Sequence, residues 1–155
     1  MKRWEKFRTF KQRGEWVELL FMAAAALRGY HVLKPWGECL EYDVGVESKG
    51  NLLRMQVKSS TRKANAGYCC QLHRNSSVKE PYSLEKVDFF AAYIIPMGVW
   101  YLIPAAVILE PPRKVKVRLC PAPHAGEDYK YERYREAWGL LSKDRQDLAR
   151  LSKSH

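Results

Sequence analysis

The sequence has few cysteines, and none of them falls in a pattern that binds zinc or builds a disulfide framework. The four are Cys39, Cys69, Cys70 and Cys120. They form no CxxC pair, and two adjacent cysteines are poorly suited to a structural disulfide or to a zinc clip. A zinc site that combined them with the histidines is disfavoured by the spacing. We therefore expect reduced thiols and a cytoplasmic location.

Long apolar runs are also missing. The apolar stretch at residues 16–27 is interrupted by Glu18, has no signal cleavage site after it and is too short to span a bilayer. No membrane segment or secretory signal is therefore expected. Internal repeats and low-complexity linkers are absent as well, so the 155 residues are expected to form one domain around one core.

Acidic residues are in the minority. The chain has 17 aspartates and glutamates against 27 lysines and arginines, which gives a formal net charge of +10. Such a surplus favours polyanionic partners, because neutralising phosphates releases condensed counterions. The plain alternative is a basic protein that its charge keeps in solution. The charge therefore points towards nucleic acid without identifying any chemistry.

The apolar spacing predicts an α/β fold with a mixed central sheet flanked by helices. A buried helix is expected over residues 14–28, ended by Gly29. Strands are expected at 30–33, 40–47, 52–58, 67–73, 89–95, 99–103 and 114–119, with a short helix in 104–109 and a long one at the C-terminus. The expected divisions are a basic aromatic segment (1–13), a core (14–120) and a C-terminal helical extension (121–155). The first segment suits either a nucleic-acid arm or an amphipathic helix packed on the domain.

Two alternating segments flank Ser48-Lys49-Gly50-Asn51, which has the residues of a tight turn. A turn centred on Lys49-Gly50 pairs residues whose numbers sum to about 99, so Asp43 faces Gln56 and Glu41 faces Lys58. Because side chains alternate between the faces of a strand, one face is apolar and the other is polar. The apolar face has Tyr42, Val44, Val46, Leu53, Met55 and Val57, and the polar face has Asp43, Gly45, Glu47, Arg54, Gln56 and Lys58. Taken alone, such a polar face is ordinary solvent-facing surface.

Glu18 changes this interpretation. It is the only charged residue in 16–27, on a helix expected to be buried nearly all round, and an unpaired buried carboxylate costs roughly several kcal/mol. A helix packed on the polar face of the hairpin would bring Glu18 to Asp43 and Lys58. A magnesium ion between two carboxylates would then offset their repulsion. The alternative is a buried ion pair of Glu18 with Lys58 or Arg54.

Three ordered pieces of the chain resemble a known family. They are Gly14-Glu15-Trp16-Val17-Glu18 on the helix, Tyr42-Asp43-Val44, and Gln56-Val57-Lys58-Ser59. Together they resemble the core of the PD-(D/E)XK nucleases, and more narrowly the small bacterial and group I intron-encoded homing endonucleases. Residues 85–90 and 99–104 also resemble that subgroup, so the resemblance covers residues 14–104.

The resemblance implies a restriction-endonuclease-like core and a metal-dependent endonuclease that hydrolyses phosphodiester bonds in DNA. It implies that Asp43 is the central ligand of a magnesium (Mg2+) or manganese (Mn2+) ion. Glu18, the amide oxygen of Gln56 and the carbonyl of Val57 would assist as ligands, and Lys58 would orient or deprotonate the attacking water. Gln56 departs from the second acid of most of the superfamily, which weakens metal binding. The rival to Glu18 is Glu15, near the helix start, where the helix dipole already stabilises a carboxylate.

Polar and basic residues follow Lys58 and the third predicted strand, and they are the expected DNA contacts: Ser59, Ser60, Thr61, Arg62, Lys63, Arg74 and Lys79. Such side chains are the usual phosphate contacts, although a solvated loop has the same composition. Because cutting two strands needs two active sites, a homo-oligomer (a dimer or a tetramer) is expected. Two other functions remain open: a structure-selective nuclease of the Holliday-junction type, and a non-catalytic nucleic-acid-binding module on the same fold.

Overall fold

The computed structural model describes residues 6–64, 67–74, 77–78, 80–121, 130–143 and 145–152. The elements in chain order are α1 (Phe10–Leu27), β1 (His31–Leu33), β2 (Val44–Ser48), β3 (Asn51–Ser60), β4 (Lys63–Ala64), β5 (Gly67–Gln71), β6 (Phe89–Ile94), β7 (Val99–Pro104), α2 (Ala105–Leu109), β8 (Lys116–Leu119), two 3-10 turns (Glu132–Tyr134 and Trp138–Ser142) and α3 (Arg145–Ser152). Five strands form a mixed sheet in the order β1-β2-β3-β6-β7, and three form a small sheet in the order β4-β5-β8. The expected mixed α/β architecture is confirmed.

The hairpin of β2 and β3 has the predicted register. Val44 pairs with Met55 and Gly45 with Arg54, so the numbers of paired residues sum to 99. Lys49 and Gly50 have φ values of 50° and 77°, the left-handed geometry that a two-residue hairpin turn needs. The turn residues therefore fix which residues of β3 lie opposite those of β2.

The pairing of Glu41 with Lys58 is wrong, because β2 begins only at Val44. The side chain of Glu41 is 7% exposed and lies 3.0 Å from Arg74 and 3.2 Å from Lys86. A nearly buried carboxylate without a cation costs more free energy than the strand pairing that is lost here. The chain before β2 therefore turns away from β3 towards these two side chains.

Two apolar clusters cover opposite faces of the main sheet. β3 runs parallel to β6, and β6 pairs antiparallel with β7, so the predicted core strands are confirmed. On one face α1 buries Val17, Phe21 and Ala25 against the apolar side of the hairpin. On the other face β5, β8 and α2 pack on Phe90 and its neighbours. The site residues of β3 therefore face the small sheet rather than α1.

Two expectations about α1 are wrong. The helix is buried along one stripe, at i, i+4 and i+8 (Val17, Phe21, Ala25), whereas Leu27 is 86% exposed. It packs on the apolar face of the hairpin and not on the polar face, because only the apolar face offers area for that stripe to bury. The helix also begins at Phe10, since the Thr9 side chain accepts a hydrogen bond from the Gln12 N–H and caps it. Residues 1–5 of the N-terminal segment lie outside the described residues.

The single long helix expected at the C-terminus is wrong. Two 3-10 turns and the short α3 take its place in the described part of this segment. Glu136 has a φ of 50°, and its carboxylate accepts hydrogen bonds from the Trp100 N–H and the Trp138 indole N–H, both at 2.7 Å. These tertiary bonds hold the chain against β7 in a conformation that a helix does not allow. The loop expected at 121–126 falls mostly outside the described residues.

Arg54, on the polar face of the hairpin, joins β3 to the start of β6. Its backbone N–H and its Nε both donate to Asp88 at 2.8 Å, and its Nη2 donates to the same carboxylate at 3.0 Å. A guanidinium that satisfies a carboxylate in this way is a strong pair. Arg54 is therefore a structural residue.

All four cysteines are free thiols. Within the described ranges, no helix combines the length and the apolar character that a membrane crossing needs.

Candidate active site

The predicted catalytic residues line one open cleft of about 870 Å3, between the N-terminal half of α1 and the small sheet. Asp43 lies one residue before β2, and Gln56, Val57 and Lys58 lie in the second half of β3. Glu18 reaches the same cleft from the margin of α1. Three segments that are distant in sequence thus bring together the four side chains that the sequence singled out.

Asp43 is fixed by the strand beside it. Its N–H donates to the Met55 carbonyl at 2.8 Å, and its Oδ2 accepts a hydrogen bond from the Val57 N–H at 2.8 Å. Burial raises the pKa of Asp43 from 3.8 to about 6. The Val57 hydrogen bond opposes this rise, the charge of Glu18 adds to it, and the charges of Lys58 and Lys34 oppose it. The fold therefore holds this carboxylate in a place where its ionised form needs a further positive charge.

Gln56 is buried, at 5% exposed, and no described residue donates a hydrogen bond to its Oε1. A buried carbonyl oxygen without a donor costs about 1–3 kcal/mol. Amide and carboxylate oxygens are ligands that magnesium and similar hard cations accept. The Oε1 of Gln56, which lines the same cleft as Asp43, therefore fits a divalent cation.

The cleft would hold such a cation with few side chains. The described part of the chain has no cluster of three or more histidine, cysteine, aspartate or glutamate side chains. Magnesium is commonly held by one or two carboxylates and keeps several waters. Asp43, with Gln56 beside it and Glu18 at the edge, is a donor set that fits this pattern.

Glu18 pairs with Lys34, so the alternative of an ion pair with Lys58 or Arg54 is wrong. Its side chain is 22% exposed and forms an ion pair with Lys34. The Lys34 Nζ also donates to the Asp43 carbonyl oxygen at 2.9 Å, so this lysine joins α1 to the chain before β2. Sequence reasoning missed Lys34, because nothing but its charge after β1 distinguishes it. Glu15 is exposed and lines a neighbouring groove instead of the cleft.

Lys58 points into the cleft and is held there by Tyr82, a second residue that the sequence did not reveal. The Lys58 Nζ donates to the Tyr82 hydroxyl oxygen at 2.8 Å and lies 5.1 Å from the centre of its ring. Burial raises the pKa of Tyr82, and the charge of Lys58 opposes that rise. The hydroxyl therefore stays protonated at neutral pH and offers its lone pair to the ammonium.

Some of the predicted DNA contacts line the cleft and others do not. Ser59, Thr61 and Arg62 line the cleft. Ser60 is buried and donates to the Cys69 carbonyl at 2.7 Å, so its hydroxyl is used inside the fold. Lys63 is exposed on β4 and does not line the cleft.

Two more of the predicted contacts need separate mention. Arg74 lines the cleft but lies within 3.5 Å of the carboxylates of both Glu41 and Glu80, so much of its charge is already matched. Lys79 lies outside the described residues. Arg13 lines the cleft from α1, with its Nη1 3.5 Å from the Thr61 hydroxyl oxygen, and was not among the predicted contacts.

Comparison with known proteins places this geometry in context. The family model described as PD-(D/E)XK endonuclease matches residues 8–141. The solved structure of a bacterial homing endonuclease, I-Ssp6803I, superposes with a TM-score of 0.72 at 25% sequence identity, covering 96% of this chain and 100% of that one. Among proteins with curated descriptions, none matches the chain. The expected restriction-endonuclease-like fold is confirmed.

Proposed function

Because the chain belongs to the PD-(D/E)XK endonuclease family, we propose that it is a metal-dependent enzyme that hydrolyses phosphodiester bonds in DNA. The observation that carries the proposal is the pairing, in one cleft, of the buried Asp43 carboxylate with the buried and unpartnered Gln56 Oε1. A divalent cation would satisfy both oxygens, and it is the cofactor that the family's chemistry uses.

We propose that Asp43, Gln56 Oε1 and the Val57 carbonyl hold a magnesium or manganese ion, with Glu18 assisting from α1. When bound, such an ion polarises the phosphate and lowers the pKa of water. Lys58 orients the attacking water, and its ammonium offsets the negative charge that develops on the phosphate oxygens. Lys34 holds Glu18 close to the Asp43 backbone, because it contacts both.

Duplex DNA is the substrate that the similarities favour. The match to the homing endonuclease structure covers 96% of this chain, which supports a homing-type activity ahead of a restriction-type one or a junction resolvase. A binding module without catalysis is less well supported, because it would have no use for a lysine held at the side of two metal-ligand oxygens.

We also propose that the chain acts as a homo-oligomer in the cytoplasm. Two copies would supply the two sites needed to cut both strands. Leu19, Ala23 and Leu27 are exposed at i, i+4 and i+8 on α1, and such a stripe suits a second copy of the chain. The four free thiols fit a reducing compartment.

Cleavage of DNA should depend on a divalent ion and on Asp43. We expect the protein to nick or linearise supercoiled plasmid, or to cut members of a pool of randomised duplexes, with magnesium or manganese and not with EDTA. The Asp43→Asn variant, purified in parallel, should cut nothing and thereby controls for contaminating nucleases. Gel electrophoresis and sequencing of the cut ends measure the result.

The same assay separates the alternatives. A four-way junction and a linear duplex of the same sequence, compared at equal protein concentration, distinguish a resolvase from a duplex endonuclease. If metal and DNA both bind but plasmid, pool and junction all stay intact, the enzymatic proposal fails and the binding module replaces it.

Arg13 and Arg62 are expected to bind phosphates at the rim of the cleft. Replacing either by alanine should weaken DNA binding several-fold and lower the salt dependence of log K by about one unit, because each loses about one phosphate contact. Fluorescence anisotropy with a labelled duplex in EDTA, at four salt concentrations, measures both quantities. Arg113→Ala is the matched control, since Arg113 is exposed and lines no part of the cleft. An unchanged salt slope in both rim variants would remove these arginines from the DNA interface.

A further inference from the structure

Lys58 is carried by a flexible stem, and its position in the cleft depends on something outside its own strand. A lysine side chain has four rotatable bonds and loses considerable entropy when it is held in one place. Its backbone is fixed by the parallel pairing of β3 with β6, where Lys58 lies opposite Ala92. The backbone alone does not fix the ammonium, so a second contact has to do so.

Tyr82 makes that contact through its hydroxyl. The hydroxyl oxygen accepts a hydrogen bond of 2.8 Å from the Lys58 Nζ, and the same nitrogen lies 5.1 Å from the centre of the ring, beyond the hydroxyl. A hydrogen bond to a charged group is stronger than one between neutral groups. This hydrogen bond defines one position for the ammonium.

The Tyr82 ring is itself rigid. It is 5% exposed and packs edge to face on Phe90, with ring centres 5.5 Å apart. Phe90 lies opposite Gln56 in the parallel pairing of β6 with β3. The Tyr82 ring and Lys58 are therefore both held by the same pair of strands. The ring therefore cannot follow the lysine if the lysine moves.

The chain that carries Tyr82 is tied to the strand that carries Lys58. Arg54 of β3 donates through its Nη1 to the Glu85 carbonyl and through its Nη2 to the Leu84 carbonyl. Its pairing with Asp88 closes the other end of this segment. Arg54 thus holds in place the segment that carries Tyr82, and Tyr82 in turn holds Lys58.

From these contacts we propose that Tyr82 is a positioning residue that holds the Lys58 ammonium at the reacting phosphate. The proposal rests on the proposed endonuclease function and adds to it a residue outside the motif. The hydrogen bond recorded for the Tyr82 hydroxyl goes to Lys58 and not to a proposed metal ligand. It acts by restricting Lys58, so its loss should lower the rate of the chemical step without weakening the binding of DNA.

The test is Tyr82→Phe, which keeps the ring and removes only the hydroxyl. We expect the single-turnover cleavage rate at saturating magnesium to fall about tenfold, with the dissociation constant for DNA and the melting temperature unchanged. Tyr101→Phe is the matched control. Its hydroxyl is also buried but donates to Glu132 at 3.0 Å, away from the cleft, so we expect the wild-type rate.

A double-mutant cycle shows whether the hydroxyl acts through Lys58. In a Lys58→Met background, Tyr82→Phe should cause no further loss of rate. NMR order parameters of the Lys58 side-chain methylenes should fall in the Tyr82→Phe protein without DNA or metal, a readout that does not depend on cleavage. If Tyr82→Phe cuts at the wild-type rate, or lowers the rate equally in both backgrounds, the positioning role is wrong. Absence of cleavage by the wild type would instead overturn the proposed function, and the order parameters would still test the Lys58–Tyr82 contact.

Discussion

Replacing Lys58 by methionine is expected to slow DNA cleavage by about a thousandfold, an effect on the rate that only the loss of Asp43 should exceed. Methionine keeps most of the apolar stem and removes the ammonium, so the packing against Tyr82 is largely preserved. The oxygens of Asp43 and Gln56 proposed as metal ligands stay in place, because the Val57 N–H donates to Asp43 and Gln56 lies opposite Phe90 of β6. Single-turnover cleavage at saturating magnesium measures the loss.

Lys63→Met is the matched control for this change. Lys63 is exposed on β4, five residues further along the chain, and does not line the cleft, so its loss removes the same charge near the same surface. We expect it to cut within a factor of about three of the wild type, as a single rim charge changes binding only modestly. A Lys58→Met protein that cuts within tenfold of the wild type would contradict the role given to Lys58. Loss of DNA binding in that variant would make Lys58 a phosphate contact instead.

Features set by short stretches of sequence could be predicted. The turn at Lys49-Gly50 needs left-handed backbone, and the alternation on either side of it allows one register. The register of β2 against β3 was therefore predicted correctly, and Asp43 and Gln56 line the same cleft. The strands β6 and β7 are uninterrupted apolar runs with a tight connection, which is typical of buried strands. In each case the signal lies within about ten residues.

The features that depend on which segments meet in space could not be predicted. The apolar content of α1 suggested that the helix is buried on all sides. Only one stripe of the helix is buried, because α1 packs against a single face of the sheet. Nothing in the sequence distinguishes Glu136 from an ordinary helical residue. Its role depends on the hydrogen bond that its carboxylate accepts from the Trp100 N–H of β7. Lys34 and Tyr82 have no motif around them. Their importance comes from contacts with Glu18 and with Lys58, across 16 and 24 residues of sequence.

Replacing Asp43 by asparagine is expected to stabilise the metal-free protein while abolishing cleavage. The pKa of Asp43 is about 6 in the fold, against an ordinary value of 3.8 for an aspartate. An acid with a raised pKa contributes most to stability while it is protonated, and the contribution is lost as the pH rises from about 4 through 6. Above pH 7 the ionised carboxylate therefore costs the fold about 3 kcal/mol. Asparagine is neutral, has nearly the same shape, and its oxygen can still accept the hydrogen bond from the Val57 N–H.

Chemical denaturation in EDTA at pH 8 should thus show a higher unfolding free energy for Asp43→Asn than for the wild type, by about 1–3 kcal/mol, and the difference should vanish near pH 4. Magnesium should stabilise the wild type and leave the variant unchanged, because only the carboxylate retains the ion. Asp88→Asn is the control. It removes the partner of Arg54 and should destabilise the protein at pH 8 with or without metal. Equal stabilisation of wild type and Asp43→Asn by magnesium would place the ion elsewhere. Opposite changes in unfolding free energy for the two substitutions would distinguish the roles of the two carboxylates. Asp43 would be kept for chemistry at the expense of stability, whereas Asp88 would hold the fold together.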